Sequence, residues 1–406
     1  MTRDRGVRFL DRTTPPHIAT LILLAGLGAL SMNVFLPSLP GMAVYFDADY
    51  RVVQLSVTVY LAMNAVLQLF IGPISDRYGR RPVILAGIAI FMLATLGCIF
   101  APTIEVFLAF RMIEAAIITS LVLSRAIIRD MVPQNEAASM IGYVTMGMAV
   151  VPMIGPVFGG VLDELFGWQA NFWLLFLAGG AIAWLTWTDL GETAPLEATS
   201  FREQFADYPE VFGSRRFWGY CAASGCASGA FFAYLGGAPY VGTEVYGMSP
   251  ATLGLFFGAP AMGYMVGNGI SGRFSVRYGI NRMIIWGVVI SAIALSILLA
   301  LDLIGFSGPF LFFGFAIFIG LGNGLVIPNS MAGMLSVRPH LAGSASGLGG
   351  AITIGSGAAL SALAGSVLTL GGGALPLIAL MLTTTLLSVV AAFYTNAVAR
   401  QVGASG

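Results

Sequence analysis

The chain has 406 residues and no net charge at pH 7; 57% of its residues are apolar and only 9% are charged. In a soluble domain about a quarter of the residues are charged, and polar groups must cover the surface. The composition therefore excludes a soluble enzyme, a disordered chain and a nucleic-acid-binding protein. Because a spanning helix needs about 20 apolar residues, the long apolar runs predict an all-α integral membrane protein embedded in a lipid bilayer.

Twelve apolar runs follow one another, and each predicts a membrane-spanning helix. A polar stretch separates the sixth run from the seventh. The runs, numbered here as spans 1 to 12, lie near residues 18–43, 54–74, 82–101, 104–130, 134–162, 169–188, 217–243, 250–274, 281–303, 308–331, 340–368 and 373–398. The predicted organisation is an N-terminal tail, a six-helix half, a linker, a second six-helix half and a C-terminal tail, at 1–17, 18–189, 190–216, 217–398 and 399–406.

The arginines predict the orientation. If the N-terminus is inside, Arg51 falls outside and Arg111 lies within a span, whereas every other arginine lies in a tail, in the linker or at an inner span end. Basic residues accumulate on the cytoplasmic side, so both termini and the linker are predicted to be cytoplasmic. The first apolar run is too long for a signal peptide and lacks its cleavage site, so we expect a retained helix.

An internal repeat indicates that the two halves are related. Gly72-Pro-Ile-Ser-Asp-Arg-Tyr-Gly79 closes span 2, and Gly272-Arg-Phe-Ser-Val-Arg-Tyr-Gly279 closes span 8. Five identities at equivalent places favour a duplication. Two pseudo-symmetric halves predict a substrate cavity at their interface, near the middle of the membrane.

Residues for catalysis or metal binding are not grouped in the sequence. The three cysteines lie in apolar runs, and the two histidines, His17 and His340, are far apart. Their spacing predicts neither a disulfide framework nor a metal site, and no nucleotide-binding or nucleophile motif is present. We therefore expect a protein that is not an enzyme and needs no cofactor.

The loop after span 2 resembles the signature loop of the major facilitator superfamily, through Gly72-x-x-x-Asp76-Arg77-x-Gly79-Arg80-Arg81. The resemblance implies a cytoplasmic gate in which Asp76 meets Arg125 or Arg129 at the end of span 4, and the start of span 11 near Leu341. The alternative is a solvated loop that is rich in arginine only because it lies on the cytoplasmic side. The predicted gate residues are Gly72, Asp76, Arg77, Gly79, Arg80, Arg81, Arg125 and Arg129.

A glycine-rich motif in span 5 resembles the antiporter signature of drug exporters in this superfamily. It reads Gly155-Pro156-x-x-Gly159-Gly160. Small residues let helices approach closely, so we expect Gly159 and Gly160 to contact a neighbouring helix, span 8 or span 11. The alternative is a packing seam with no role in the direction of transport.

Nearly the whole chain resembles the Bcr/CflA branch, the bicyclomycin- and chloramphenicol-type proton antiporters. Two residues depart from the branch: Asn33 replaces its usual aspartate in span 1, and Glu114 replaces a glutamine in span 4. The similar stretches are 33–40, 53–56, 124–130, 231–240, 328–329 and 342–345. The resemblance implies a monomeric multidrug efflux transporter of the bacterial inner membrane that is driven by the proton gradient.

Glu114 is the candidate proton carrier, because every other acidic residue lies in a tail or near a span end. Arg111 is three residues earlier, so the two side chains share one helical face. Movement of Arg111 away from Glu114 would favour protonation of the carboxylate. The alternative is a static pair that only makes two polar groups tolerable in the membrane.

The predicted substrate is a small amphipathic organic compound, because pockets with aromatic walls and few polar anchors suit such molecules. Two alternatives stay open: a transporter of one specific metabolite, as exporter or symporter, and an uncoupled uniporter or receptor. The predicted cavity residues are Asn33, Phe35, Tyr60, Asn64, Tyr234 and Asn323.

Overall fold

A computed structural model describes residues 8–131, 134–193, 208–337, 342–368 and 372–404. Its described elements are helices, and no strand occurs among them. The fold is the predicted all-α bundle of two six-helix halves. Nine of the described helices are long and apolar enough to cross a membrane, namely those of spans 1 to 4, 6 and 9 to 12.

Two helices of the first half are interrupted. Span 1 is α-helical over Ile18–Asn33 and resumes through a 3-10 turn at Leu36–Ser38, where Pro37 and Pro40 remove backbone donors. Span 4 contains a 3-10 turn at Ala115–Ile117. The six helical segments are Ile18–Tyr45, Tyr50–Tyr78, Arg80–Ile99, Ile104–Met131, Gln134–Phe166 and Gln169–Asp189.

The second half begins after a short helix, Tyr208–Phe212, in the linker. Span 7 ends in a π-helical turn, Val241–Val245, and span 8 has two parts. The helices are Arg215–Tyr240, Pro250–Phe257 with Ala259–Tyr278, Ile280–Leu303, Pro309–Val337, Ala342–Leu368 and Leu375–Ala404.

Several helices are longer than the apolar runs that predicted them. Span 2 runs over Tyr50–Tyr78, and span 12 reaches Ala404, into the predicted C-terminal tail. Backbone hydrogen bonding continues into polar residues that hydropathy does not register. Parts of the predicted tails and linker (1–7, 194–207 and 405–406) lie outside the described residues.

The internal repeat has the same local structure in both halves. Gly79 and Gly279 have φ values of 94° and 85°, which side-chain-bearing residues rarely adopt. Each donates its N–H over 2.9 Å to a serine carbonyl, of Ser75 and Ser275 respectively. The two glycines therefore make equivalent sharp turns into the next span.

The two ends of the bundle differ in charge. The odd-numbered spans begin at one end of the bundle, which we call the arginine-rich end. They finish at the opposite end, which we call the far end. Next to the arginine-rich end, residues before span 1 fold against span 6. There Asp189 accepts hydrogen bonds from the N–H groups of Leu10 (2.7 Å) and His17 (2.9 Å) and from Thr20 Oγ1 (2.6 Å).

The halves meet along two pairs of helices. Span 2 packs against span 11, and span 5 packs against span 8. The hydrogen bonds and close backbone contacts that join them lie mainly toward the far end, at residues such as Tyr50, Gln54, Gly160 and Pro250. This arrangement places an interface between the halves where a substrate cavity was predicted.

Candidate functional site

A buried ion pair lies inside the first half. Nη1 of Arg111 is 2.6 Å from Oε2 of Glu114, and neither side chain is exposed. Because the residues are three apart in span 4, one turn of helix brings both side chains to one face. The structure thus brings together the two residues singled out in the sequence, whereas their role in proton coupling stays a prediction.

Glu114 is also held by span 3. Thr95 Oγ1 donates a hydrogen bond to Glu114 Oε1 over 3.0 Å, and Cys98 Sγ lies 3.8 Å from Oε2. The first α-helix of span 4 ends at Glu114 and gives way to the 3-10 turn at Ala115–Ile117. The carboxylate therefore sits at a local change in helical geometry, where mid-helix 3-10 turns often mark hinges.

Arg111 is fixed by spans 1 and 2. Its Nη2 donates to the Ser31 carbonyl over 2.7 Å and its Nη1 to Ser31 Oγ over 3.2 Å. The guanidinium carbon lies 4.4 Å from the ring centroid of Phe35 and 4.2 Å from that of Tyr60, both within cation–π range. Two of the predicted cavity residues thus form the walls around this arginine.

The other predicted cavity residues are buried within the halves. Asn33 donates to the Ala29 carbonyl over 2.7 Å, and the Tyr234 hydroxyl donates to the Phe257 carbonyl over 3.2 Å. Asn64 and Asn323 are each 4% exposed. These residues are therefore packed in this conformation, and their contact with substrate stays a prediction.

The loop after span 2 forms a compact charge cluster. Arg80, whose side chain is 7% exposed, is 2.5 Å from Asp76 and 3.1 Å from Asp130, and it also bonds to Ser75. Glu192, after span 6, accepts the backbone N–H of Arg80 over 2.8 Å. Arg80 therefore pairs with Asp76, and the expected contact of Asp76 with Arg125 or Arg129 stays a prediction.

The remaining gate residues occupy different surroundings. Arg77 lies over Tyr78, with its guanidinium carbon 5.4 Å from the ring centroid. Arg81 lies over Trp187 at 4.6 Å. Arg129 is exposed, and Leu341 lies outside the described residues. Among the described residues, a Cβ atom built at Gly72 would meet nothing within 4 Å beyond its own helix and chain neighbours, so that glycine is not required by close packing.

Arg125 has an unusual position. It is exposed, although its neighbours Ser124 and Ala126 are buried.

The glycine motif of span 5 is a tight seam between helices. A Cβ atom at Gly160 would overlap the backbone carbonyl of Pro250 in span 8, and one at Gly254 would overlap that of Pro156. A Cβ atom at Gly159 would overlap the Val34 carbonyl in span 1. The expected contact with span 8 is therefore correct for Gly160 and wrong for Gly159, because the interrupted helix of span 1 approaches there.

A polar latch joins the halves at the far end, a contact that no motif in the sequence predicts. Gln54 Nε2 donates to the carbonyl and to Oγ of Ser361 in span 11, over 2.7 Å each. The Tyr50 hydroxyl donates to the Gly236 carbonyl in span 7 over 2.8 Å. A glutamine within an apolar run could have indicated such a contact, since buried polar groups in membranes require partners.

The comparison with family models decides the fold family. Residues 21–362 match the model described as Major Facilitator Superfamily. The chain belongs to this superfamily. Its members are transporters rather than enzymes, and their fold of twelve helices in two halves agrees with the arrangement described above.

Relatives extend along most of the chain. An uncharacterized MFS-type transporter, YdgK of Bacillus subtilis, is 32% identical, over 91% of this chain and 93% of its own. Multidrug resistance protein D of Escherichia coli is 31% identical, over 89% and 90%. The chloramphenicol resistance protein of Pseudomonas aeruginosa is 29% identical, over 80% and 78%. These relatives confirm the resemblance to the Bcr/CflA-type drug-resistance branch.

Solved structures share the fold. A bacterial homolog of the human lysosomal transporter Spinster, in an inward-facing and unoccupied conformation, aligns with a TM-score of 0.69 at 18% identity, covering 93% of this chain and 95% of its own. At this identity the match concerns the fold alone.

Proposed function

We propose that this protein exports small amphipathic compounds across the bacterial inner membrane in exchange for protons. Its relatives include proteins named for resistance to multiple drugs and to chloramphenicol. The arginine-rich end is the cytoplasmic end in this proposal, because positively charged residues accumulate on that side. The protein acts as a monomer.

The contacts between the halves support transport by alternating access. At the far end the halves are joined by Tyr50, Gln54 and the seam of Gly160 against Pro250. Near the arginine-rich end of span 4, Arg125 is exposed. In this proposal the joined far end belongs to a state that admits substrate from the cytoplasm, and rocking of the halves would break the far-end contacts and release substrate outside.

The buried pair of Arg111 and Glu114 carries the proposal of proton coupling. The guanidinium stabilises the ionised carboxylate, so the pair at 2.6 Å is the form expected after a proton has left toward the cytoplasm. Protonation from outside would remove the charge of Glu114 and free Arg111. Because Arg111 also contacts Ser31, Phe35 and Tyr60, its release would alter the packing of spans 1 and 2.

The test is the variant Glu114→Gln in proteoliposomes with an imposed proton gradient. We expect it to lose uphill accumulation of substrate and to retain downhill exchange, because the amide keeps the shape and cannot titrate. Glu105→Gln is the matched control, since Glu105 is exposed on the same helix. Uphill transport by Glu114→Gln at the wild-type rate would refute the assignment.

A second variant separates loss of coupling from loss of folding. Glu114→Gln leaves the fully buried Arg111 without its carboxylate, and breaking a buried pair costs about 3–5 kcal/mol. The double variant Arg111→Gln/Glu114→Gln removes both charges and should recover part of the lost thermal stability. It should still fail to accumulate substrate uphill.

The alternatives make different predictions in the same system. A transporter of one metabolite would move a single compound and would give a pump-deficient host no protection against unrelated drugs. An uncoupled uniporter would equilibrate substrate without accumulating it, and Glu114→Gln would then transport like the wild type. In that case the pair of Arg111 and Glu114 would be a static structural element.

A further inference from the structure

Span 1 is interrupted at residues 34–38, between the α-helices Ile18–Asn33 and Leu39–Tyr45; we call this segment the break. Phe35 and Ser38 have ψ values of −6° and −10°, whereas an α-helix has ψ of about −42°. A 3-10 turn inside a longer helix often marks a hinge. The break is therefore a position at which span 1 can bend.

Arg111 of span 4 holds one side of the break. Its Nη2 donates to the Ser31 carbonyl over 2.7 Å, in the last turn of the first helix of span 1, where the helix dipole favours a cation. Its guanidinium carbon lies 4.4 Å from the ring centroid of Phe35. Because Glu114 pairs with Arg111 at 2.6 Å, the charge of Glu114 bears on the position of the break.

Asn171 of span 6 holds the other side, and no motif in the sequence singles it out. Its Nδ2 donates to Ser38 Oγ over 3.0 Å and to the Gly159 carbonyl over 3.2 Å. The side chain is fully buried, and the next residue, Phe172, places its ring centroid 5.7 Å from that of Phe35. One buried amide thus ties the break to the glycine motif of span 5.

The glycine motif links the break to the other half of the protein. A Cβ atom at Gly159 would overlap the Val34 carbonyl in the break, and one at Gly160 would overlap the Pro250 carbonyl in span 8. No side chain separates these backbones, and close-packed contacts transmit displacement rather than absorb it. Movement of the break would therefore move span 5 and disturb the seam between the halves.

We propose, in an extension that rests on the proposed function, that the break transmits the protonation state of Glu114 to the seam, and that Asn171 is the positioning residue that keeps the break against Gly159. With Glu114 ionised, Arg111 and Asn171 hold the break from both sides and the far end stays closed. Protonation frees Arg111, the break shifts, and span 5 withdraws from span 8. The far end then opens.

Few titratable groups surround these contacts. Those that face the ion pair are Arg111 itself, Cys98 of span 3, with Sγ 3.8 Å from Glu114 Oε2, and Tyr60 of span 2, with its ring centroid 4.2 Å from the guanidinium carbon. Asp163 is half-buried and follows the glycine motif by one helical turn. A test must therefore separate titration of Glu114 from titration of Asp163.

The test measures the width of the far end at acidic and at alkaline pH. Nitroxide labels on Pro102→Cys and Ser307→Cys, exposed positions in far-end loops of the two halves, report the distance between the halves by double electron–electron resonance in nanodiscs. Protein without added cysteines controls for labelling of the native cysteines, which are buried or half-buried. Acidification should raise the ratio of long to short distances at least about tenfold, because loss of a buried ion pair is worth more than one tenfold step.

Variants identify the residues that carry this response. Glu114→Gln should show the long distance at both pH values. Asn171→Ala should reduce the response to less than about twofold, both to acidification and to added Glu114→Gln, because coupled residues give non-additive effects. Asn329→Ala is the matched control, since Asn329 is equally buried and donates to a serine hydroxyl and a backbone carbonyl in the second half. Ser38→Ala removes one of the two hydrogen bonds and should reduce the response by a smaller factor.

Several outcomes would overturn the proposal. A full response in Asn171→Ala, even with a lowered melting temperature, would show that this residue only packs, and an equal loss in Asn329→Ala would show that the effect is not specific. If Asn171→Ala does not fold, an undiminished response in Ser38→Ala is decisive against the clamp. Absence of the response in the wild type, or its persistence in Glu114→Gln through a group such as Asp163, would be equally contrary. Uphill transport by the wild type tests the proposed function separately and can succeed in each of these cases.

Discussion

The latch at the far end offers a direct test of alternating access through the variant Gln54→Glu. Gln54 is fully buried between the halves and donates two hydrogen bonds of 2.7 Å to Ser361 in span 11. A carboxylate has the same shape but cannot donate when ionised. It would also place a negative charge against the carbonyl oxygen of Ser361. We therefore expect the substitution to force the far end open.

The magnitude follows from these contacts. Each lost hydrogen bond is worth about 0.5–1.5 kcal/mol, and burying an unpaired charge costs several kcal/mol more. A total of about 4–6 kcal/mol against the closed far end is comparable to the free energy that inverts a two-state equilibrium, since a shift from 1:99 to 99:1 needs about 5.5 kcal/mol. Opening the far end would hydrate the carboxylate and remove this cost.

Hydrogen–deuterium exchange of the purified protein is the assay. In the wild type the start of span 2 and the end of span 11 should exchange slowly, and in Gln54→Glu both should exchange at least tenfold faster. Gln169→Glu is the control, because it makes the same change at a half-buried position of the far end in span 6. Unchanged protection in Gln54→Glu, or equal deprotection in Gln169→Glu, would refute the latch.

Two further variants test the packing seam and the charge cluster. Gly159→Leu should lower the free energy of unfolding by about 1–3 kcal/mol or more, because the new side chain would overlap the Val34 carbonyl. Gly314→Leu is the control and should have little effect, because Gly314 faces open space. Equal melting temperatures of the two variants would show that the seam is loose. Asp76→Asn should slow transport severalfold and leave substrate affinity unchanged, because Arg80 keeps Asp130 as its partner. Turnover at the wild-type rate would show that the charge cluster does not control the gate.

The sequence alone predicts most of the fold, because the spans and turns are local features. Hydropathy gave twelve spans, and the repeat gave two related halves with equivalent turns at Gly79 and Gly279. The pairing of Arg111 with Glu114 was also predictable, since residues three apart on a helix are neighbours. Asp76 and Arg80 are four apart in the sequence, so this ion pair could have been anticipated as well.

Contacts between spans were decided only by the tertiary structure. Gln54 meets Ser361, 307 residues away, and Gly159 meets span 1 rather than span 8. In a soluble protein the apolar face of a helix shows which side is buried. In a membrane, lipid is as apolar as the protein interior, so a helix can be apolar all round without revealing its partners. Packing of small residues and scattered polar groups selects those partners, and it becomes visible only when the helices are assembled.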